Sequence, residues 1–290
     1  MFQTALIATD LSPASNHVLS CLPGLQPLGT RQAVLVHALG IKHLQEIQHL
    51  LAPYVEPFLA AQKQTVEAQG FKATSVIAAG LPVFEVNRVA KQQDASLIVV
   101  GSHGSTLARE TLLGGTAMGI LHHAQLPVLV IRLKIVEQDG QSRCEGACAD
   151  FRKHVLFCTD FSETAERAFT YVEKIVECGA KRVTLLHVQD RGRIEKYLKD
   201  RLGEFNEIDR ERLQRLQNSL KQHGASEVQI ELPYGFPIQE ILRIAERENE
   251  SLIVMGSQGR GFIGEVFLGS VSHQVVRRAP VPVLLVPTLR

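Results

Sequence analysis

The chain repeats itself, and the repeat limits what it can fold into. Leu97-Ile-Val-Val-Gly101-Ser-His-Gly104 returns as Leu252-Ile-Val-Met-Gly256-Ser-Gln-Gly259. Ala5-Leu-Ile-Ala-Thr-Asp10-Leu-Ser12 returns as Val155-Leu-Phe-Cys-Thr-Asp160-Phe-Ser162, and Val34-Leu-Val-His37 as Thr184-Leu-Leu-His187, both at an offset of 150. Gly80-Leu-Pro82 matches Gly235-Phe-Pro237, and Leu126-Pro127-Val128 matches Val281-Pro282-Val283, at an offset of 155. About five residues are therefore inserted in the second copy between its second strand and Gly235. Solenoid units run to roughly 20 to 50 residues, so a period this long marks two copies of a domain.

Each copy alternates short apolar runs with longer amphipathic ones, the pattern of βαβ units wound into a parallel sheet. In the second copy strands are expected at 155–159, 182–187, 228–232, 252–255 and 283–286, and helices at 163–178, 191–223, 238–248 and 269–278. Continuous Val, Ile and Leu in strands one and four imply burial on both faces. Gly70, Gly179 and Gly224 stand where helices should stop. The fold class expected is α/β, with two tandem Rossmann-like domains, each a doubly wound five-stranded parallel sheet with helices on both faces. Domain boundaries are expected at 1–134 and 153–290, with the polar stretch 135–152 as linker. The strands 126–131 and 282–286 would be edges that meet across a pseudo-two-fold axis, hiding each other's unpaired backbone, so that one chain forms an intramolecular pseudo-dimer.

Hydrophobic residues make up 45% and charged residues 21%, ordinary for a soluble globular chain, and each half is long enough to bury a core. No apolar run reaches the roughly 20 residues that span a bilayer. The N-terminus carries a strand and Asp10 where a signal peptide would need a basic start and a cleavage site, so a cytoplasmic location is expected. With 31 basic against 30 acidic residues, no charge excess argues for nucleic acid or an anionic membrane as partner. The five cysteines, Cys21, Cys144, Cys148, Cys158 and Cys178, are odd in number, do not repeat between copies, and read as reduced thiols.

Open sheets of this kind bind ligands at the carboxyl ends of their strands, where the chain order switches direction. Asp10 and Asp160 end strand one, and Gly101 and Gly256 end strand four, so each pair faces one crevice. In the second copy Gly256, Gly259, Gly269 and Ser270 form the pattern G-x2-G-x9-G-S. Glycines there let backbone N–H groups approach an anion, and a helix N-terminus adds its positive dipole end, which is chemistry for phosphates. Asp160 is then placed to accept hydrogen bonds from a ribose or an adenine amino group.

Two other motifs are declined. Gly259-Arg-Gly261-Phe-Ile-Gly264 spells G-x-G-x-x-G, but it follows strand four, and Ala279-Pro280 stands where the acidic partner should be. Cys144-x3-Cys148 with nearby His154 supplies too few ligands for a structural zinc, and no metal site is expected. His37 and His187, ending strand two, read as buried, hydrogen-bonded structural histidines. Ser12 and Ser162 compete with Asp10 and Asp160 for the helix N-cap.

These motifs resemble the universal stress protein family. The resemblance rests on Thr159-Asp-Phe-Ser162, Leu185-Leu-His-Val188, Gly235-x-Pro237 and the glycine loop, and covers nearly all of each half. It implies a tandem protein of two such domains, self-association through the last strand as pseudo-dimer or homodimer, and binding of ATP or AMP, ATP with or without Mg. Carried onto this sequence, Asp160 and Val188 would hold the adenosine end, and Gly256, Gly259, Gly269, Ser270 and Val271 would hold phosphates and ribose, with Arg260 inside the loop beside them.

The first copy offers the weaker counterpart, Asp10, Ala38, Gly101, Gly104, Gly114, Gly115 and Thr116. Gly115 stands where the loop hydroxyl belongs, and Thr116 lies about 100° further round the helix. No catalytic residue is expected: there is no Walker lysine, no paired carboxylates at fixed spacing in both copies, and no Ser–His–Asp set. The function expected is a nucleotide-binding stress or regulatory protein acting on an unknown protein partner. The alternatives are a slow ATP hydrolase or phosphotransferase using Asp160 and Arg260, and a nucleotide-free scaffold.

Overall fold

The structure is a computed structural model that describes residues 1–40, 45–102, 113–138, 141–146, 150–197, 201–248, 250–259 and 268–288. The chain divides into two compact units, Met1–Ala149 and Asp150–Leu289. In the first unit, strands β1 (Thr4–Ala8), β2 (Gln32–Ala38), β3 (Lys72–Ala78), β4 (Leu97–Gly101) and β5 (Val128–Ile131) are all parallel, in the order β5-β4-β1-β2-β3. Between them run α1 (Pro13–Ser20) with a following 3-10 segment, α2 (Gln45–Ala68), α3 (Pro82–Gln92) and α4 (Gly115–His123).

The second unit repeats this plan with β8 (Val155–Cys158), β9 (Arg182–Leu186), β11 (Glu227–Glu231), β13 (Leu252–Gly256) and β14 (Val283–Val286), in the order β14-β13-β8-β9-β11. Its helices are α5 (Glu163–Glu177), α6 (Arg191–Tyr197), α7 (Leu202–Gln222), α8 (Pro237–Arg247) and α9 (Ser270–Arg278). The sheet order reverses between β8 and β13, which places a crevice above their carboxyl ends. Val155, Leu156 and Phe157 on β8 and Ile253 and Val254 on β13 are fully buried. Helix α5 lays Ala165, Ala168, Val172, Ile175 and Val176 on that sheet, the spacing of one helical face. Its N-cap is Ser162, whose side chain accepts from Ala165 N, so the serine rather than Asp160 does the capping. Gly70, Gly179 and Gly224 end their helices in left-handed backbone, at φ of +89°, +105° and +107°, where a side chain would be strained.

Three features differ from the sequence reading. The helix expected over 191–223 is two helices, α6 and α7, and two-residue parallel strands β10 (Gln189–Asp190) and β12 (Tyr234–Gly235) pair beside α6. The stretch read as a linker holds an antiparallel hairpin, β6 (Leu133–Gln138) with β7 (Gln141–Gly146). The sequence between these strands is Asp139-Gly140, a dipeptide favoured in two-residue hairpin turns. Finally, Cys21 is disulfide-bonded, to a partner outside the described side chains, while Cys158 and Cys178 are free. An odd count of cysteines left one pair open, and spacing alone did not reveal it.

Candidate functional site

The crevice of the second unit is a cavity of about 760 Å³ above β8, β9 and β13. Asp160 enters it one residue beyond Thr159, at the end of β8. Its Oδ1 accepts from the Ser162 N–H (3.1 Å) and the Ser162 hydroxyl (2.6 Å). The residue between, Phe161, has a φ of 57°, and its N–H donates to Thr159 Oγ1 (2.9 Å). A bulky residue in left-handed backbone costs energy that its surroundings must offset, and this turn is what aims Asp160 over the crevice. The first unit has the same turn, with Leu11 at 62°, Leu11 N–H on Thr9 Oγ1 (3.1 Å) and Asp10 Oδ1 accepting from Ser12.

Gly256, Gly259, Gly269, Ser270 and Val271 line the same cavity. Gly256 ends β13 against the first turn of α5, where a Cβ would stand 3.0 Å from the Thr164 carbonyl carbon and 3.1 Å from Ala165 N. Gly259 stands against the carboxylate of Asp160. Gly269 caps α9, and the first hydrogen bond of that helix runs from His273 N–H to Gly269 O (2.9 Å). The N–H groups of the first turn before it have no partner within the helix, as at every helix N-terminus, and they carry the positive end of the helix dipole. Ser270 is exposed at this turn. Ser272, which the sequence reading passed over, is buried and donates from Oγ to Gly256 O (2.9 Å), tying the start of α9 to the end of β13. Its counterpart at the repeat offset is Ala117, so only comparison of the copies could have pointed to it.

The opposite end of the cavity is built on β9 and α7. Val188 is buried on the wall between His187, whose N–H donates to Glu231 O (3.1 Å), and Gln189, whose N–H donates to Pro233 O (2.9 Å). His187 Nδ1–H donates to Thr159 O (2.8 Å) and Nε2 stands 3.5 Å from Asp209 Oδ2. Gln189 Nε2 donates to that same oxygen (3.3 Å), and Arg212 Nη1 is 3.7 Å from Asp209 Oδ1. The Phe161 ring meets His187 at a tilt of 43°, 4.6 Å between centroids, and the Arg212 guanidinium stands 5.2 Å from its centre. Asp209 and Arg212 lie inside the segment where the copies differ in length, so no repeat pattern marked them. Cys158 floors the cavity, and burial pushes its thiol pKa up, which keeps it protonated and unreactive.

In the first unit Asp10, Ala38, Gly101, Gly114, Gly115 and Thr116 likewise line one cavity, of about 210 Å³. His37 Nδ1–H donates to Thr9 O (3.0 Å), repeating the His187 contact. Among the described residues nothing lies within 4 Å of where a Cβ would be on Gly114 or Gly115. Gly104 and Arg260 lie outside the described residues. His154, considered with the linker cysteines, is engaged at the other end of the sheet: Nε2 meets Thr184 Oγ1 (2.9 Å) and Glu250 Oε1 (3.3 Å), and Nδ1 faces Glu248 O (3.1 Å). Burial pushes Glu250 up to about 8 and His154 below the usual histidine range.

A doubly wound sheet, glycines at its switch point and a duplicated plan define a tandem α/β protein of two Rossmann-like domains. The chain belongs to the universal stress protein family, whose model matches it twice, over residues 1–132 and 152–287. Universal stress protein MJ0577 of Methanocaldococcus jannaschii is 34% identical over 152 residues, covering 46% of this chain and 94% of that protein. A universal stress protein of Thermus aquaticus is 34% identical over 140 residues, covering 46% of this chain and 98% of that one. The crystal structure of a universal stress protein from Archaeoglobus fulgidus is similar over 98% of both chains, with a TM-score of 0.75 and 27% identity. Among the described residues no helix is long and apolar enough to cross a membrane.

Proposed function

We propose that the second unit binds an adenine nucleotide, ATP or AMP, and that the chain is a stress-response or regulatory protein whose shape or protein partner depends on nucleotide occupancy. The observation that carries this reading is the convergence of Asp160, Val188, Gly256, Gly259, Gly269, Ser270 and Val271 on one cavity. The polar groups are sorted along it as a nucleotide requires. Glycine backbone and the α9 N-terminus suit phosphates. Asp160 lines the cavity as an acceptor and suits a ribose hydroxyl, and the apolar wall of Val188, Pro237 and Ile241 suits a base. With about 760 Å³ the cavity falls in the size range of small-molecule sites. The first unit is the weaker site on this reading, lacking the loop hydroxyl.

Mass spectrometry of the small molecules released from the purified whole chain tests the proposal. An adenine nucleotide in near-stoichiometric amount supports it. A chain that carries none, and takes none up from millimolar ATP or AMP, contradicts it and favours a nucleotide-free scaffold.

A further inference from the structure

The far end of the cavity holds a carboxylate that the phosphate and ribose positions leave unused. Asp209 is only 9% exposed, lies on α7 and lines the cavity beside His187 and Gln189. Burying a carboxylate is costly unless it is paired, and the pairing here is one-sided. Oδ2 receives the Gln189 amide at 3.3 Å and faces His187 Nε2 at 3.5 Å, while the contact to Oδ1 is the Arg212 guanidinium at 3.7 Å, beyond hydrogen-bond distance. Oδ2 is thus held by the Gln189 amide, and Oδ1 retains acceptor capacity at the cavity wall. Matching the helix-ending Gly70 and Gly224 puts Val55 opposite Asp209.

The topology says what part of a ligand meets this carboxylate. Phosphates at the α9 N-terminus would lie over β13, Asp160 follows β8, and His187 and Gln189 follow β9, with α7 packed across β11 and β9. Two strand spacings separate β13 from β9, roughly 10 Å, about the span from the 5′ phosphate of a nucleotide to the far edge of its base.

Resting on the nucleotide reading above, we propose that Asp209 is a specificity-determining residue whose Oδ1 accepts a hydrogen bond from the exocyclic amino group of the base, so that the site prefers 6-aminopurine over 6-oxopurine nucleotides. A carboxylate is acceptor only. It pairs with the amino group of adenine and opposes the carbonyl oxygen of hypoxanthine.

Calorimetric titration of the whole chain with ATP and with inosine 5′-triphosphate tests this. The native chain should bind ATP at least tenfold more tightly, since a buried acceptor facing an acceptor loses a bond to a charged group. In Asp209→Asn, the Gln189 amide N–H holds the new carbonyl in the place of Oδ2, and the amide NH2 takes the place of Oδ1. The preference should then fall at least tenfold, to parity or inversion. Asp209→Ala, which removes the acceptor and adds no donor, should bring the two ligands close to parity. Equal affinities in the native chain, or an unchanged preference in both variants, would overturn the role of Asp209 while leaving nucleotide binding in place. Failure of both triphosphates to bind would overturn the nucleotide reading and this inference with it.

Discussion

The carboxylate of Asp160 lies against the Cα of Gly259, so close that a Cβ on Gly259 would overlap Asp160 Oδ2. Its Oδ1 is fixed by Ser162. The glycine therefore makes room for the aspartate before any ligand arrives, in addition to leaving space for a phosphate.

Gly259→Val should weaken ATP binding at least roughly a hundredfold, about 2.8 kcal/mol, because the new side chain displaces Asp160 as well as filling the phosphate position. Gly104→Val in the first unit should matter less. Competition against a fluorescent ATP analogue reads both, with little background since the chain has no tryptophan. Equal losses from the two variants would mean that the units share the work.

Gly256→Ala should act on stability. Its Cβ would stand 3.0 and 3.1 Å from backbone atoms of Thr164 and Ala165, and helix backbone cannot yield as a side chain can. Overpacking of this kind costs about 1–3 kcal/mol. Thermal melting of the ligand-free chain checks it, and an unchanged midpoint contradicts it.

Ser270→Ala should weaken ATP binding by roughly ten- to a hundredfold, since a hydroxyl donating to an ionised phosphate contributes about 1.5–3 kcal/mol. Adenosine, without phosphates, should hardly respond. Gly115→Ser should strengthen binding in the first unit. Among the described residues nothing crowds that position, and its φ is outside the left-handed range, so the serine brings no backbone strain. Loss of ATP affinity by less than a factor of two in Ser270→Ala would leave the phosphates to backbone N–H groups alone.

Glu250 and His154 give the second unit a pH signature. Burial raises Glu250 to about 8, offset in part by Thr184 and Arg182, and lowers His154, with Arg182 acting in the same direction. A carboxyl raised in the fold keeps its proton where the unfolded chain has lost it. Its contribution is therefore present below about 4.5 and declines as pH rises towards 8. A lowered histidine works oppositely, adding stability as pH rises to about 6.5. Between these limits, from pH 6.5 to 8, only the Glu250 decline operates, worth roughly 2 kcal/mol at about 1.4 kcal/mol per pH unit. Glu250→Gln should remove that decline. Denaturant melts at pH 6.5 and 8 with parallel slopes for native chain and variant would contradict it.

The sequence carried the fold because strand identity, the Asp160 turn and the glycine loop are local patterns stated twice. Gly256 and Asp160 could be placed in one crevice from the strand ends alone. What it did not carry are contacts between distant residues that occur in one copy only. Asp209 meets His187 across the inserted segment, Ser272 reaches back to Gly256, and Glu250 meets His154 where the first copy has Ala95 and Thr4. The break between α6 and α7 was hidden for a related reason, since amphipathic sequence continues through it and no proline marks it. The hairpin in the linker was legible in Asp139-Gly140 and went unread because polar composition suggested a connector.

The most direct test of the central claim is calorimetric titration of the whole chain with ATP, alongside Gly259→Val and Ser270→Ala. The account predicts one tight site per chain, abolished by the first substitution and weakened by the second, with any further binding weaker and insensitive to both. No heat at millimolar ATP, or a tight site untouched by Gly259→Val, would contradict it.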